Sequence, residues 1–157
     1  MCSSDLGEPP IVQNFKATPL MVGGTLYLNS PASVGMALDA KTGATRWIYN
    51  PKSYENGTTT MSARWNQRGV GYWTDGVEER VFWGTGDGYL IAVDAKTGKP
   101  IQSFGVNGKV DLMTGLPRAT RGERDHFNAL TYSVQSPPFV VRDLDRKSTR
   151  LNSSHIT

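Results

Sequence analysis

Residues able to do chemistry are few in this chain, and their settings narrow them further. The 157 residues include one Cys and two His. A single Cys permits neither a disulfide framework nor a thiolate metal cluster. Asp87 sits in Gly86-Asp87-Gly88 between two β-prone runs, so it reads as a turn former rather than a general acid. His126 closes the charged stretch from Arg118, which reads as a surface insertion. Arg68 is different. It heads the run Arg68-Gly69-Val70-Gly71-Tyr72-Trp73. A guanidinium is a rigid fork of donors that matches a carboxylate bidentately. A glycine directly after it lets the backbone turn close to a ligand. Taken alone, the same Arg is also what an exposed strand end would carry before an ordinary aromatic strand. The elements around it decide.

Those elements come from an internal repeat. Ala37-Leu38-Asp39-Ala40-Lys41-Thr42-Gly43 recurs as Ala92-Val93-Asp94-Ala95-Lys96-Thr97-Gly98, an offset of 55 residues. In the first unit Pro19–Val22 and Thr25–Leu28 flank Gly23-Gly24, a hairpin signal. Gly35–Leu38 and Ala44–Tyr49 flank the Asp-Ala-Lys-Thr-Gly turn, where Asp accepts turn N–H groups and Gly supplies positive φ. The second unit repeats the scheme with expected strands at Gly69–Trp73, Arg80–Trp83, Tyr89–Val93 and Pro100–Phe104. A third unit opens at Ser136-Pro137-Pro138-Phe139-Val140-Val141. Four short strands on a period near 50 residues predict β-propeller blades, here two and the start of a third. A ring of about four to eight blades is needed for closure. The chain is therefore expected to be an all-β part of a larger propeller, with apolar faces that other blades cover.

The two ends read differently. Cys-Ser-Ser-Asp-Leu at 2–6 and Asp-Arg-Lys-Ser at 145–148 can be encoded by one DNA read on opposite strands. TGC TCT TCC GAT CT reverse-complements to AG ATC GGA AGA GCA, whose other frame gives Asp-Arg-Lys-Ser. Residues 1–6 and 145–157 thus look like translated sequencing adapter, and 7–144 like an internal fragment of a propeller domain. Cys2 and His155 then leave the functional inventory, and the net charge falls from +3 to +2. That charge is too small and too scattered for a nucleic-acid footprint. No apolar run is long enough for a membrane helix.

The first repeat extends to Ala37-x-Asp39-x-x-Thr42-Gly43-x-x-x-Trp47. It resembles the tryptophan-docking motif of quinoprotein dehydrogenases, eight-bladed propellers that carry pyrroloquinoline quinone (PQQ). The second copy has Ile101 in the tryptophan's place. Arg68–Trp73 resembles the Arg-Gly-Val-Ala-Tyr-Trp segment of the same family, whose Arg reaches a carboxylate of the cofactor. The resemblance covers nearly all of residues 14–143 and implies a cofactor wall. Arg68 would pair a PQQ carboxylate, Arg64 would stack on the quinone plane, Lys16 would supply a point charge and Gln135 an amide donor. Each of the last three also reads as an ordinary exposed loop or strand-edge residue. Neither catalytic nor metal-ligating residues are expected here, because the catalytic Asp and the calcium ligands of the family fall in later blades.

Alcohol-oxidising members carry a vicinal Cys-Cys pair shortly before the Arg, where this chain has Ser62 and Ala63. That departure, with the run Asn14–Val22, resembles the membrane-bound glucose dehydrogenase type. The family implies oxidation of a sugar or alcohol by hydride transfer to the quinone, with ubiquinone or a cytochrome c as acceptor. It also implies a periplasmic location and a fragment inactive by itself. A membrane anchor or fused cytochrome domain stays open, and a non-catalytic PQQ-like propeller scaffold is the alternative.

Overall fold

The computed structural model describes residues 15–56, 67–116, 134–141 and 144–146. Strand β1 (Leu20–Val22) turns through Gly23 and Gly24, both at positive φ, into β2 (Thr25–Asn29), with Val22 opposite Thr25. Next come β3 (Gly35–Asp39) and β4 (Thr45–Tyr49), completing an antiparallel meander in the order β1-β2-β3-β4. A short 3-10 helix follows at Ser53–Asn56. The second sheet repeats the order with β5 (Gly71–Thr74), β6 (Glu79–Gly84), β7 (Tyr89–Asp94) and β8 (Lys109–Asp111). A third unit opens as a hairpin of β9 (Phe139–Val141) and β10 (Leu144–Arg146). Two four-stranded blades and the start of a third are the fold that the repeat predicts.

The repeated Asp-Ala-Lys-Thr-Gly turns share one construction. Asp39 Oδ1 accepts the N–H groups of Lys41 and Thr42 at 3.0 and 2.9 Å, and Asp94 Oδ1 those of Lys96 and Thr97 at 3.1 and 2.8 Å. Gly43 and Gly98 then take φ of 73° and 69°. Identical sequence gives identical chemistry.

The eighth strand is not where the sequence places it. Pro100 forms only an isolated bridge to Val93, and the Ile101 N–H reaches the Ala92 carbonyl at 3.0 Å. Proline has no N–H for a ladder. The chain leaves the sheet in a turn closed by Phe104 N–H on the Ile101 carbonyl, then returns through Asn107 and Gly108, both at positive φ. Only Lys109–Asp111 pairs with Tyr89–Ile91. The docking position is corrected as well. Gln102 stands at the Trp47 spacing and is exposed, whereas Ile101 packs with Phe82, Leu90 and Ala92.

Alternation along β6 and β7 sends side chains to both neighbours. Val81, Trp83, Ile91 and Val93 join Tyr27, Ala37 and Trp47 in a core between the first two blades. Phe82, Leu90 and Ala92 form a second core with Phe104, Val110 and Val140 toward the third. Polar staples reinforce the first interface. Trp47 Nε1 donates to the Ala95 carbonyl at 2.8 Å, and the Tyr27 hydroxyl donates to the same oxygen at 3.2 Å. The indole lies so close over Gly98 that a Cβ there would meet it at 2.6 Å. Trp83 Nε1 donates to the carbonyl of Ser33 at 2.8 Å, and Ser33 is buried at a φ of 66°.

Candidate functional site

The segments that lead into the first strand of each unit run side by side. Thr18 bridges Gly69 in parallel, and its N–H donates to the Arg68 carbonyl at 2.9 Å. The Arg68 N–H in turn donates to the Gln135 carbonyl at 3.0 Å. The Arg68 peptide groups are thus used on both sides, by the unit before and the unit after. Gly69 makes the close approach possible: its φ is 147°, and a Cβ there would lie 3.0 Å from the Thr18 carbonyl oxygen.

The structure therefore brings three of the four expected residues into one neighbourhood. Lys16 precedes Thr18 by two residues and is exposed, Arg68 is exposed, and Gln135 is partly buried. Among the described residues, the ion pairs are Arg46–Asp39, Lys52–Glu55, Arg80–Glu78 and Lys96–Glu79. Neither Lys16 nor Arg68 takes part in them. Two cations on neighbouring units with no carboxylate partner among the described residues suit a ligand that brings its own negative charge. Arg64, Ser62, Ala63 and His126 lie outside the described residues. Asp87 belongs to the β6–β7 turn, where Thr85 Oγ1 donates to its carboxylate and Gly88 N–H closes on the Thr85 carbonyl at 3.2 Å.

Register adds a residue that the sequence did not single out. Met21 pairs with Leu26 and Tyr72 with Val81, and Leu26 and Val81 are one 55-residue period apart. Counting back five residues from Met21 and Tyr72 makes Lys16 and Gln67 counterparts. In each bond the acceptor carbonyl lies one unit on, that of Arg68 for Thr18 and that of Gln135 for Arg68, which makes Gln135 the counterpart of Arg68. Gln67 is only 1% exposed, and its Oε1 faces Nδ2 of the fully buried Asn29 at 3.5 Å. The signal was hidden because the β5–β6 turn is two residues longer than Gly23-Gly24, so a fixed offset of 55 misaligns the first strands.

Away from this edge the perturbed groups are structural. Burial first, then a hydrogen bond with the Glu79 carboxylate, pushes the Tyr72 hydroxyl up to about 12. Lys96, bonded to Glu79, draws that carboxyl down. These groups tie β5 and β6 to the Asp94 turn.

Residues 3–144 match the family described as glucose/ethanol/alcohol dehydrogenase, beta-propeller domain, of PQQ type. The chain belongs to this PQQ dehydrogenase propeller family. Its relatives include the dehydrogenase subunit of a quinone-dependent alcohol dehydrogenase of Gluconobacter oxydans, 42% identical over 116 residues, covering 69% of this chain and 15% of that protein. A probable quinate dehydrogenase (quinone) of Xanthomonas campestris is 35% identical over 148 residues, covering 79% of the chain and 17% of the relative. Among solved structures, the quinohemoprotein alcohol dehydrogenase ADHIIG of Pseudomonas putida superposes with a TM-score of 0.58 at 30% identity. It covers 84% of this chain and 16% of that structure's chain. The chain thus spans about a sixth of the length of these PQQ-family relatives.

Proposed function

We propose that the protein is a PQQ-dependent dehydrogenase that oxidises a CH–OH group, and that this chain forms part of the wall holding the cofactor. The observation that carries the reading is Arg68, whose backbone is bonded to both neighbouring units while its guanidinium stays exposed and outside the described ion pairs. PQQ is a flat ortho-quinone with three carboxylates, and when bound it supplies the hydride-accepting centre. The residues present fit such a group. Arg68 offers the fork for one carboxylate and Lys16 a second positive charge. Gln135 is partly buried and accepts the Arg68 N–H on its carbonyl, and Gly69 keeps side-chain bulk away. Arg64 would stack on the quinone face. No catalytic base and no calcium ligand is assigned within the chain; both belong to blades further along a longer propeller.

Open apolar surface supports that longer propeller. Met21, Leu26, Leu28, Met36, Leu38 and Ile48 share one face of the first blade by strand pairing. Met21 is 65% and Ile48 49% exposed. The matching face of the second blade, Val81, Trp83, Ile91 and Val93, is buried against the first. Gly43 has open space where Gly98 carries the Trp47 indole.

The named relatives support an alcohol-type hydroxyl, and quinate adds a polyol acid. Ser62 and Ala63, in place of a vicinal Cys pair, favour a sugar or polyol as the second reading. Electrons then pass to ubiquinone or a cytochrome c in the periplasm. The test is an assay of the full-length protein, loaded with PQQ and calcium, on primary alcohols, glucose and quinate with a dye acceptor. PQQ-dependent turnover of at least one class is expected. Tight PQQ binding without turnover of any of them would favour a non-catalytic scaffold.

A further inference from the structure

The pair Asn29 and Gln67 is unusual in being buried, polar and incompletely satisfied. Asn29 is 0% and Gln67 1% exposed, and a single long contact of 3.5 Å joins them across the first two blades. Among the described residues, Asn29 Oδ1 and Gln67 Nε2 have no hydrogen-bond partner. One leftover group is an acceptor and the other a donor. Buried polar groups without partners are costly, so such a pair is kept in an interior only where it does something that apolar packing would not. The same place in the next interface is built differently. Gly84 stands one 55-residue period after Asn29, and a Cβ there would meet Val134 at 2.2 Å. There the Val134 side chain packs directly on the Gly84 backbone. Between the first two blades, an amide pair stands in the gap.

What distinguishes that gap is its neighbour. Gln67 immediately precedes Arg68, whose N–H and carbonyl are held by Gln135 and Thr18. We propose that Gln67 is a positioning residue for Arg68, pinning the chain to the first blade through Asn29, with one buried water joining Gln67 Nε2 to Asn29 Oδ1. Two backbone bonds fix where the Arg68 peptide lies between its neighbours. The side-chain tether one residue earlier fixes its rotation and height. A water that accepts from Nε2 and donates to Oδ1 satisfies both leftover groups and needs no charge. The inference rests on Arg68 being the carboxylate anchor, and the experiment separates the two.

The measurement is PQQ binding to the calcium-loaded full-length apoprotein, followed by quenching of intrinsic fluorescence. Replacing both amides together, Asn29→Leu with Gln67→Leu, removes the tether without stranding a single polar group. The double variant should keep its melting temperature and weaken PQQ binding about tenfold. Added to Arg68→Ala, it should weaken binding less than about twofold further, because the two changes then act through one anchor. The swap Asn29→Gln with Gln67→Asn conserves the pair and should restore affinity. If the leucine pair does not fold, Asn29→Ser carries the same prediction with a smaller loss. Wild-type affinity in the leucine or serine variant, alongside a weakened Arg68→Ala, overturns the positioning role alone. Losses that simply multiply in the combined variant also overturn it. Wild-type affinity in Arg68→Ala overturns the anchor itself.

Discussion

Asp39 shows how one carboxylate can be spent on structure rather than catalysis. Its oxygens accept from Lys41, Thr42 and the Arg46 guanidinium, the last at 2.7 Å. The Arg46 bond, followed by those of Thr42 and Lys41, holds the carboxyl well below the usual carboxylate range. A depressed folded-state pKa contributes stability above the unfolded value near 3.9, and that contribution is lost as pH falls through the folded value. Asp39→Asn should therefore lower the melting temperature at pH 7, with the difference from wild type shrinking steadily below about pH 4. A difference that stays constant from pH 7 to pH 2 would show that the charge is not what holds the turn. Arg68 presents the opposite case, since the described structure gives its charge no partner. The type and setting of these residues could be read from sequence, because each depends on its immediate neighbours. Gln67 could not, because its role comes from Asn29, 38 residues away.

At the scale of elements, the docking of Trp47 on the Asp94 turn joins the first blade to the second. Trp47→Ala removes the indole's bond to Ala95 and opens a cavity, and should cost about 3–5 kcal/mol of unfolding free energy in denaturant titration. Gly98→Ala attacks the same joint from the other side. The new methyl meets the indole at 2.6 Å on a backbone at φ 69°, so a loss of at least about 2 kcal/mol is expected. If Gly98→Ala proves neutral, the indole does not rest on that turn. The docking turns were legible because Asp, Thr and Gly at fixed spacing act locally. The fourth strand of the second blade was not. Its boundary is set by the missing N–H of Pro100 and by Lys109 and Val110 finding β7 after an excursion, a competition that apolar pattern alone does not decide. The first-strand register was hidden for a similar reason. Asp75 builds a longer turn by accepting from Val77 and Glu78 at 2.8 and 2.7 Å, so the two units lose step there.

For the whole molecule, the question is what covers the open face of the first blade. If a preceding blade docks there as the first docks on the second, Gly43→Ala in the full-length protein should cost as much as Gly98→Ala. A cost limited to backbone strain, about 1 kcal/mol, would mean that no aromatic ring rests on Gly43. Residues 7–144 expressed alone should self-associate through Met21, Leu28 and Ile48, visible as large species in light scattering. A monomer with cooperative unfolding would contradict that view. These tests address the ring; the cofactor wall is addressed most directly by Arg68. Titrating PQQ into the calcium-loaded full-length apoprotein should show Arg68→Ala binding at least about thirtyfold more weakly than wild type, the scale of a lost charge-assisted bidentate pair. Equal affinity in the two proteins would contradict the claim that this chain holds the cofactor.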